Sequence, residues 1–264
     1  MKKYFVIGNP INHSLSPKLH NYWLKENNID AIYDKKKIEE KNLQNIISEV
    51  KEKKINGINV TVPYKKLVIP YLDKLSEEAE QTQSVNTIIY EKGSLIGHNT
   101  DIFGFYKAIK TLNFDMKGKK VLILGAGGVV SSIVFALKKM NVSVITISNR
   151  TKQKAENLKN LFKDLNVIEW GNLIDFDVVV NATSLGLNNE KINLDFSDTG
   201  NNKLFYDVIY NPGETNFLKK AKESGNVSEN GKLMFIYQAL EAFKLWHGIE
   251  PDINSDTLKL LKND

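Results

Sequence analysis

Short apolar runs alternate with longer amphipathic stretches along this 264-residue chain, the rhythm of strands feeding helices in a parallel-sheet protein. Residues 4–7 read as a first strand, a loop follows through Ser14, and Ser16-Pro17 opens a helix with proline in its first turn. A second strand is predicted near 31–33, a helix near 43–50, and a third strand at 58–62, closed by Pro63. Residues 85–90 and 95–98 form two strands joined by a turn at Lys92-Gly93.

A second unit begins after a helix at 101–112 that links the two parts. The compact apolar strand 119–124 runs into Gly125-Ala126-Gly127-Gly128, and 130–140 has helical length and pattern. Strands at 142–147, 177–180 and 204–208 and a helix at 152–162 continue the rhythm. The end of the chain carries a helix at 234–246 and a small one near 255–261. The apolar tract 121–137 is long, but its glycines and its strand-to-helix switch mark a buried βα unit rather than a membrane span.

Charge adds little to this picture. The basic residues are 35 lysines and one arginine, Arg150, against 31 acidic residues, for a net charge of +5. The lysines are spread along the chain and their densest runs sit beside Glu39, Glu40, Glu49 and Glu52, so they read as solvated faces. No nucleic-acid or membrane partner is expected; a modest positive field favours anionic small molecules. The absence of cysteine excludes disulfides, thiolate metal sites and thiol catalysis. With no signal-like apolar region after Lys2 and Lys3, a cytoplasmic protein is expected, a monomer or a homodimer. The histidines show no metal-ligand spacing, so no metal is expected, and His247 reads as a cap on the terminal helix.

The glycine loop lies directly after a strand and directly before a helix. There, small residues let backbone N–H groups approach a pyrophosphate and the helix N-terminus favours its charge. Val130 stands at the position usually held by a small residue, so the packing of helix on strand must adjust. The next strand ends in Asn149-Arg150-Thr151 with no acid until Glu156, where an NAD-binding chain would place an acid for the ribose. A guanidinium fork suits a 2′-phosphate, with Thr151, Lys152 and Lys154 adding a hydroxyl and charge, so NADP is the expected cofactor.

Outside this unit, polar groups gather at strand ends: Asn12 to Pro17 with Ser14 and Ser16, Asn59 to Lys65 with Thr61, Val85-Asn86-Thr87, and Asn99-Thr100-Asp101. Taken singly, Ser16 and Asp101 also read as helix N-caps. Together the four segments put a lysine, an aspartate, two amides and several hydroxyls at one end of a sheet, where open α/β sheets bind ligands.

In order and spacing, these segments resemble the shikimate dehydrogenase family over nearly the whole chain. Gly8-Asn9-Pro10, His20-Asn21, Gly97-His98, Asn181-Ala182-Thr183-Ser184, Tyr210-Asn211-Pro212 and Tyr237-Gln238-Ala239 complete the set. The resemblance implies NADP-linked interconversion of 3-dehydroshikimate and shikimate, a step of aromatic amino-acid synthesis. It implies two α/β domains: a substrate-binding and catalytic domain, 1–101 plus 235–264, with a mainly parallel sheet, and a Rossmann-type NADP-binding domain, 102–234. The C-terminal helix then returns to the substrate domain. Carried over position by position, Ser14 and Ser16 match carboxylate-binding hydroxyls, with Tyr210 nearby. Asn59, Thr61, Asn86 and Gln238 match substrate contacts, and Lys65 and Asp101 match the catalytic pair. Gly125, Ala126, Gly127, Gly128, Val129, Asn149, Arg150, Thr151, Lys152, Gln153, Lys154, Thr183, Val208 and Gly231 fall at cofactor-contact positions. Gln83-Ser84, Lys154 and Lys232 depart from common members of the family.

The chemistry agrees: hydride reduction of a ketone leaves an alkoxide that needs a proton, and an ammonium at Lys65, oriented by Asp101, supplies it. Three rivals stand beside this reading. An NAD-preferring quinate/shikimate dehydrogenase is opposed by Asn149-Arg150-Thr151. Glutamyl-tRNA reductase, which shares an Asn-Arg-Thr segment, needs a cysteine nucleophile. A non-catalytic metabolite-sensing paralogue is opposed by the retained Lys65 and Asp101.

Overall fold

A computed structural model describes residues 1–188, 190–197 and 199–261. The chain divides into two compact units: Met1–Gly104 with the segment from Ile236 onward, and Phe105–Phe235.

The first unit contains β1 (Lys2–Gly8), α1 (Ser16–Glu26), β2 (Ala31–Lys37), α2 (Leu43–Lys51), β3 (Gly57–Val60), β4 (Lys74–Leu75), α3 (Glu77–Thr82), β5 (Thr87–Glu91), β6 (Ser94–His98) and the start of α4 (Asp101–Lys110). Its six-stranded sheet has the order β2-β1-β3-β5-β6-β4. β1 pairs in parallel with β2 and β3, and β4 with β6, while β5 runs antiparallel to both neighbours. The β5–β6 hairpin turns at Lys92 (φ 49°) and Gly93 (φ 83°), left-handed conformations whose twist matches that of the paired strands. Leu43, Ile46, Ile47 and Val50 recur at helical spacing on α2 and bury into the core with Ile7, Ile58 and Val60.

α1 corrects one expectation. Its N-cap position is Leu15, without a side-chain cap, so Ser16 is the first helical residue and not the cap. The Ser16 N–H instead donates to Ser14 Oγ at 3.3 Å. The pattern also passed over β4, which is only two residues long, and α3, an acid-rich turn capped by the Ser76 side chain accepting from the Ala79 N–H.

The second unit holds the rest of α4, then β7 (Lys120–Leu124), α5 (Val130–Lys139), β8 (Val144–Ser148), α6 (Lys152–Leu161), β9 (Asn166–Ile168), β10 (Val178–Asn181), β11 (Leu204–Asp207), α7 (Asn216–Glu223), β12 (Val227–Glu229) and the start of α8 (Lys232–His247). Its sheet runs β12-β11-β10-β7-β8-β9 with every pairing parallel. Two halves thus wind outward from a switch point between β7 and β10, the doubly wound arrangement. The central strands are apolar runs because helices cover both faces of such a sheet. Val130 is fully buried, so the bulk at that position is absorbed into the core.

α8 continues into the first unit and is followed by α9 (Ser255–Leu260). Trp246 packs where Gly57 has no side chain: a Cβ there would lie 2.2 Å from Trp246 Nε1, which donates to the Ile88 carbonyl at 3.2 Å. His247 does not cap the helix. Its ring packs against Tyr4 and Phe243 at 4.9 and 4.4 Å, and burial beside Lys2 lowers its pKa to about 4, so it stays neutral. Among the described residues no helix is long and apolar enough to cross a membrane.

Candidate active site

Antiparallel pairing of β5 decides the geometry of the first unit's site. The ends of β3 and β6 lie beside the start of β5, with Asn59 opposite Thr87 and Thr87 opposite His98. The segments leaving β3 and β6 and the one entering β5 therefore converge.

Lys65 Nζ lies 2.5 Å from Asp101 Oδ2, and both side chains are almost removed from solvent. Asp101 Oδ1 accepts from Asn86 Nδ2 at 2.9 Å. Asp101 opens α4, yet its carboxylate is taken by Lys65 and Asn86, so it acts as a partner of the lysine and not as a helix cap. The Asn86 amide is saturated: it also donates to Thr100 Oγ1, and its oxygen accepts from the Thr100 N–H at 2.8 Å and from Thr87 Oγ1 at 3.1 Å. Asn59 is committed as well, donating to the Asn86 carbonyl and to Thr87 Oγ1.

Thr61 follows β3, and a Cβ at Gly8 would meet its methyl at 2.6 Å, so the glycine lets the two loops approach. The Thr61 hydroxyl has no hydrogen-bond partner among the described residues, and Lys65 uses only one of its three N–H groups on Asp101. Ser14 lies in the loop between β1 and α1, Ser16 is the first residue of α1, and Gln238 is half-buried on the part of α8 that belongs to this unit. Tyr210 belongs to the second unit, where it stacks on Phe235 at 4.7 Å and burial pushes its pKa up to about 12.

In the second unit, Gly125 follows β7 with φ +110°, and a Cβ there would lie 2.8 Å from the Ala182 carbonyl oxygen. The strand ends at the switch point can close together only over a glycine. Side chains at Gly127 and Gly128 would meet little: the nearest atom to a Cβ at Gly127 lies 3.9 Å away and none lies within 4 Å of one at Gly128. α5 begins at Val129 without a side-chain cap. An open, uncapped helix start with bare backbone ahead of it fits a pyrophosphate.

Arg150 is exposed after β8 and makes no hydrogen bond or ion pair among the described residues. Asn149 donates to the Thr151 carbonyl at 2.7 Å, and Gln153 to Asn157 at 3.1 Å. α6 opens at Thr151 without a side-chain cap and has no acid in its first turn, where Lys152 and Lys154 stand instead. Cations there oppose the helix dipole by roughly 0.3–1 kcal/mol each, a placement that an anion bound between them reverses. These residues fit the 2′-phosphate of NADP.

Thr183 donates to Asn181 Oδ1 at 2.7 Å and accepts from the Leu185 N–H, so its hydroxyl shapes its own loop. Gly231 meets Val208, whose carbonyl oxygen would lie 2.1 Å from any Cβ, giving that glycine a reason internal to the chain. Sequence reasoning missed Asp207, a buried acid whose pKa burial raises. Its oxygens accept from Asn181, Thr215 and the Ile209 N–H, tying the loops after β10 and β11. The signal was an acid closing an apolar strand, Leu-Phe-Tyr-Asp.

A doubly wound parallel sheet with a glycine turn at its switch point places the chain among the α/β dinucleotide-binding proteins. Residues 6–88 match the shikimate dehydrogenase substrate binding domain, 107–207 the shikimate / quinate 5-dehydrogenase family, and 233–255 the shikimate 5′-dehydrogenase C-terminal domain. The shikimate dehydrogenase (NADP(+)) of Pelagibacter ubique is 54% identical over 99% of both chains, and that of Nitrosopumilus maritimus 39% identical over 98% of both. A crystal structure of the Thermus thermophilus shikimate 5-dehydrogenase with NADP(H) and shikimate superposes with a TM-score of 0.90, at 32% identity, covering 99% of this chain and 98% of that one. The chain belongs to the shikimate dehydrogenase family.

Proposed function

We propose that this protein catalyses the reversible, NADP-linked reduction of 3-dehydroshikimate to shikimate. Family membership over the full length supports the reaction, and the buried Lys65–Asp101 pair at 2.5 Å is the observation that carries its chemistry. The first unit takes the substrate and the second the cofactor, which when bound supplies the hydride.

Lys65 directs a free N–H at the ketone oxygen and gives it a proton as the carbon–hydrogen bond forms; in the reverse direction it takes the hydroxyl proton. Asp101 orients the ammonium and balances its charge. Thr61, whose hydroxyl has no partner among the described residues, and Gln238 hold ring hydroxyls, while Ser14 and Ser16 bind the carboxylate. Asn86 and Asn59 serve the same site through the groups they fix. Tyr210 is a further candidate contact to the carboxylate. Gly125 to Val129 receive the pyrophosphate, and Asn149 to Lys154 the 2′-phosphate, with Thr183, Val208 and Gly231 lining the remainder.

The test follows absorbance at ~340 nm with shikimate and then quinate, each with NADP and NAD. Turnover with shikimate and NADP above the other three combinations is expected; quinate with NAD as the best pair overturns the reading. Lys65→Met should lower kcat by roughly 10²–10⁴-fold with KM little changed, because the lost interaction belongs to proton transfer. A cytoplasmic location and a monomeric or homodimeric state complete the proposal, the latter readable by analytical ultracentrifugation.

A further inference from the structure

β2 carries one buried side chain, Tyr33, in a strand otherwise turned largely to solvent. Its placement is fixed from three directions. The ring stacks on His20 with centroids 4.2 Å apart and planes 2° from parallel. Its backbone N–H donates to Asn21 Oδ1 at 2.9 Å and its carbonyl accepts from Asn21 Nδ2 at 2.7 Å. His20 is fully buried with Nε2 unpartnered, and burial lowers its pKa to about 3, so the ring beneath Tyr33 is neutral. None of this needs a hydroxyl; phenylalanine would satisfy the stack and the backbone equally well.

The hydroxyl does something else. It donates to Asn59 Oδ1 at 2.6 Å. Asn59 Nδ2 donates to Thr87 Oγ1 at 3.0 Å, Thr87 Oγ1 donates to Asn86 Oδ1 at 3.1 Å, and Asn86 Nδ2 donates to Asp101 Oδ1 at 2.9 Å. Every donor along this path points toward the Asp101 carboxylate, and Lys65 closes it from the other side. Tyr33, Asn59, Thr87, Asn86 and Asp101 are all buried, so the links are largely shielded from solvent. Hydrogen bonds aligned in one direction polarise one another, and the low local dielectric of a buried chain strengthens each of them.

We propose that Tyr33 is a positioning residue for the reaction: its hydroxyl begins a one-directional chain through Asn59, Thr87 and Asn86 that fixes the Asp101 carboxylate against Lys65. The inference rests on the functional reading above, in which that pair moves the proton. Without the Tyr33 hydroxyl, the Asn59 oxygen becomes a buried acceptor with no donor. The amide then rotates to seek another partner and releases its bond to Thr87, and the loss passes along the chain.

A double-mutant cycle on the full-length protein tests this. Tyr33→Phe keeps the stacked ring and removes only the first donor, and Thr87→Val cuts the chain at its middle. Rates are normalised to the folded fraction by near-UV circular dichroism, so a loss of stability is not read as a loss of rate. Each variant should lose kcat by about 10–100-fold, the scale of a catalytic group displaced by a fraction of an ångström to an ångström, with KM for NADP unchanged. The double variant should be no slower than the slower single one, because a chain cut twice is no more cut. Tyr33→Phe within about twofold of wild type, or losses that multiply, overturn the inference. If the wild-type protein does not oxidise shikimate, the functional reading itself fails and the inference with it; turnover in wild type alongside an unaffected Tyr33→Phe overturns the inference alone.

Discussion

Thr61 and Lys65 keep hydrogen-bonding capacity that none of the described residues uses, whereas Asn59 and Asn86 have theirs consumed within the fold. Four polar residues adjacent in the sequence motifs thus divide into groups that can meet a substrate and groups that hold them in place. Arg150 stands on the open side of this division, exposed and without a partner among the described residues. A charge-assisted, two-pronged contact contributes ~1.5–3 kcal/mol, so Arg150→Ala should weaken NADP binding roughly 10–150-fold in a fluorescence titration with NADPH, and leave NADH binding nearly unchanged. Equal losses for the two nucleotides would remove Arg150 from the phosphate site. At this scale the candidate residues stand out in the sequence because each type has few uses at a strand end. Tyr33 does not, since one tyrosine in a strand says nothing about what its hydroxyl reaches.

Elements carry a second kind of information. The pattern found the longer strands and helices because apolar periodicity is strongest where an element is buried along its length. β4, β9 and β12 are two or three residues long, too little for a period to show, and α7 buries only Phe217, Leu218 and Ala221. The reversal of β5 matters more than any boundary, since it sets Thr87 between Asn59 and His98. Gly57 depends on an element far away in sequence: Trp246 of α8 occupies the volume its side chain would need. Gly57→Ala should displace Trp246 from the Ile88 carbonyl, destabilise the fold by ~1–3 kcal/mol in urea unfolding, and red-shift tryptophan emission. An unchanged emission maximum would mean that the indole keeps its seat.

Across the whole molecule, burial of histidine couples stability to pH. His20 and His247 are held neutral, with pKa values lowered to about 3 and about 4, and burial lowers His98 as well. Below the ordinary histidine value near 6.5 the unfolded chain binds protons that the folded one refuses, so stability falls as pH drops. One such histidine costs ~1.4 kcal/mol per pH unit in that window. Asp207 and Glu229, raised by burial, act in the opposite sense, so the comparison with His20→Gln is the informative one. Urea unfolding between about pH 7.5 and 5.5 should show a shallower decline in that variant than in wild type; parallel curves would show that His20 titrates normally in the fold.

By itself the sequence determined the α/β rhythm, the glycine turn and the strand-end residues, because strand and helix periods, turn conformations and the chemistry of lysine, aspartate and arginine are local properties. It also determined the family, through motifs whose order and spacing survive along the whole chain. Tertiary structure alone decided which of the polar groups meet and which remain open. That decision depends on strand order and on the reversed direction of β5, which bring Tyr33, Asn59, Thr87 and Asp101 into one buried chain. Contacts between residues so far apart in sequence arise only when the chain folds back on itself, and no local period records them.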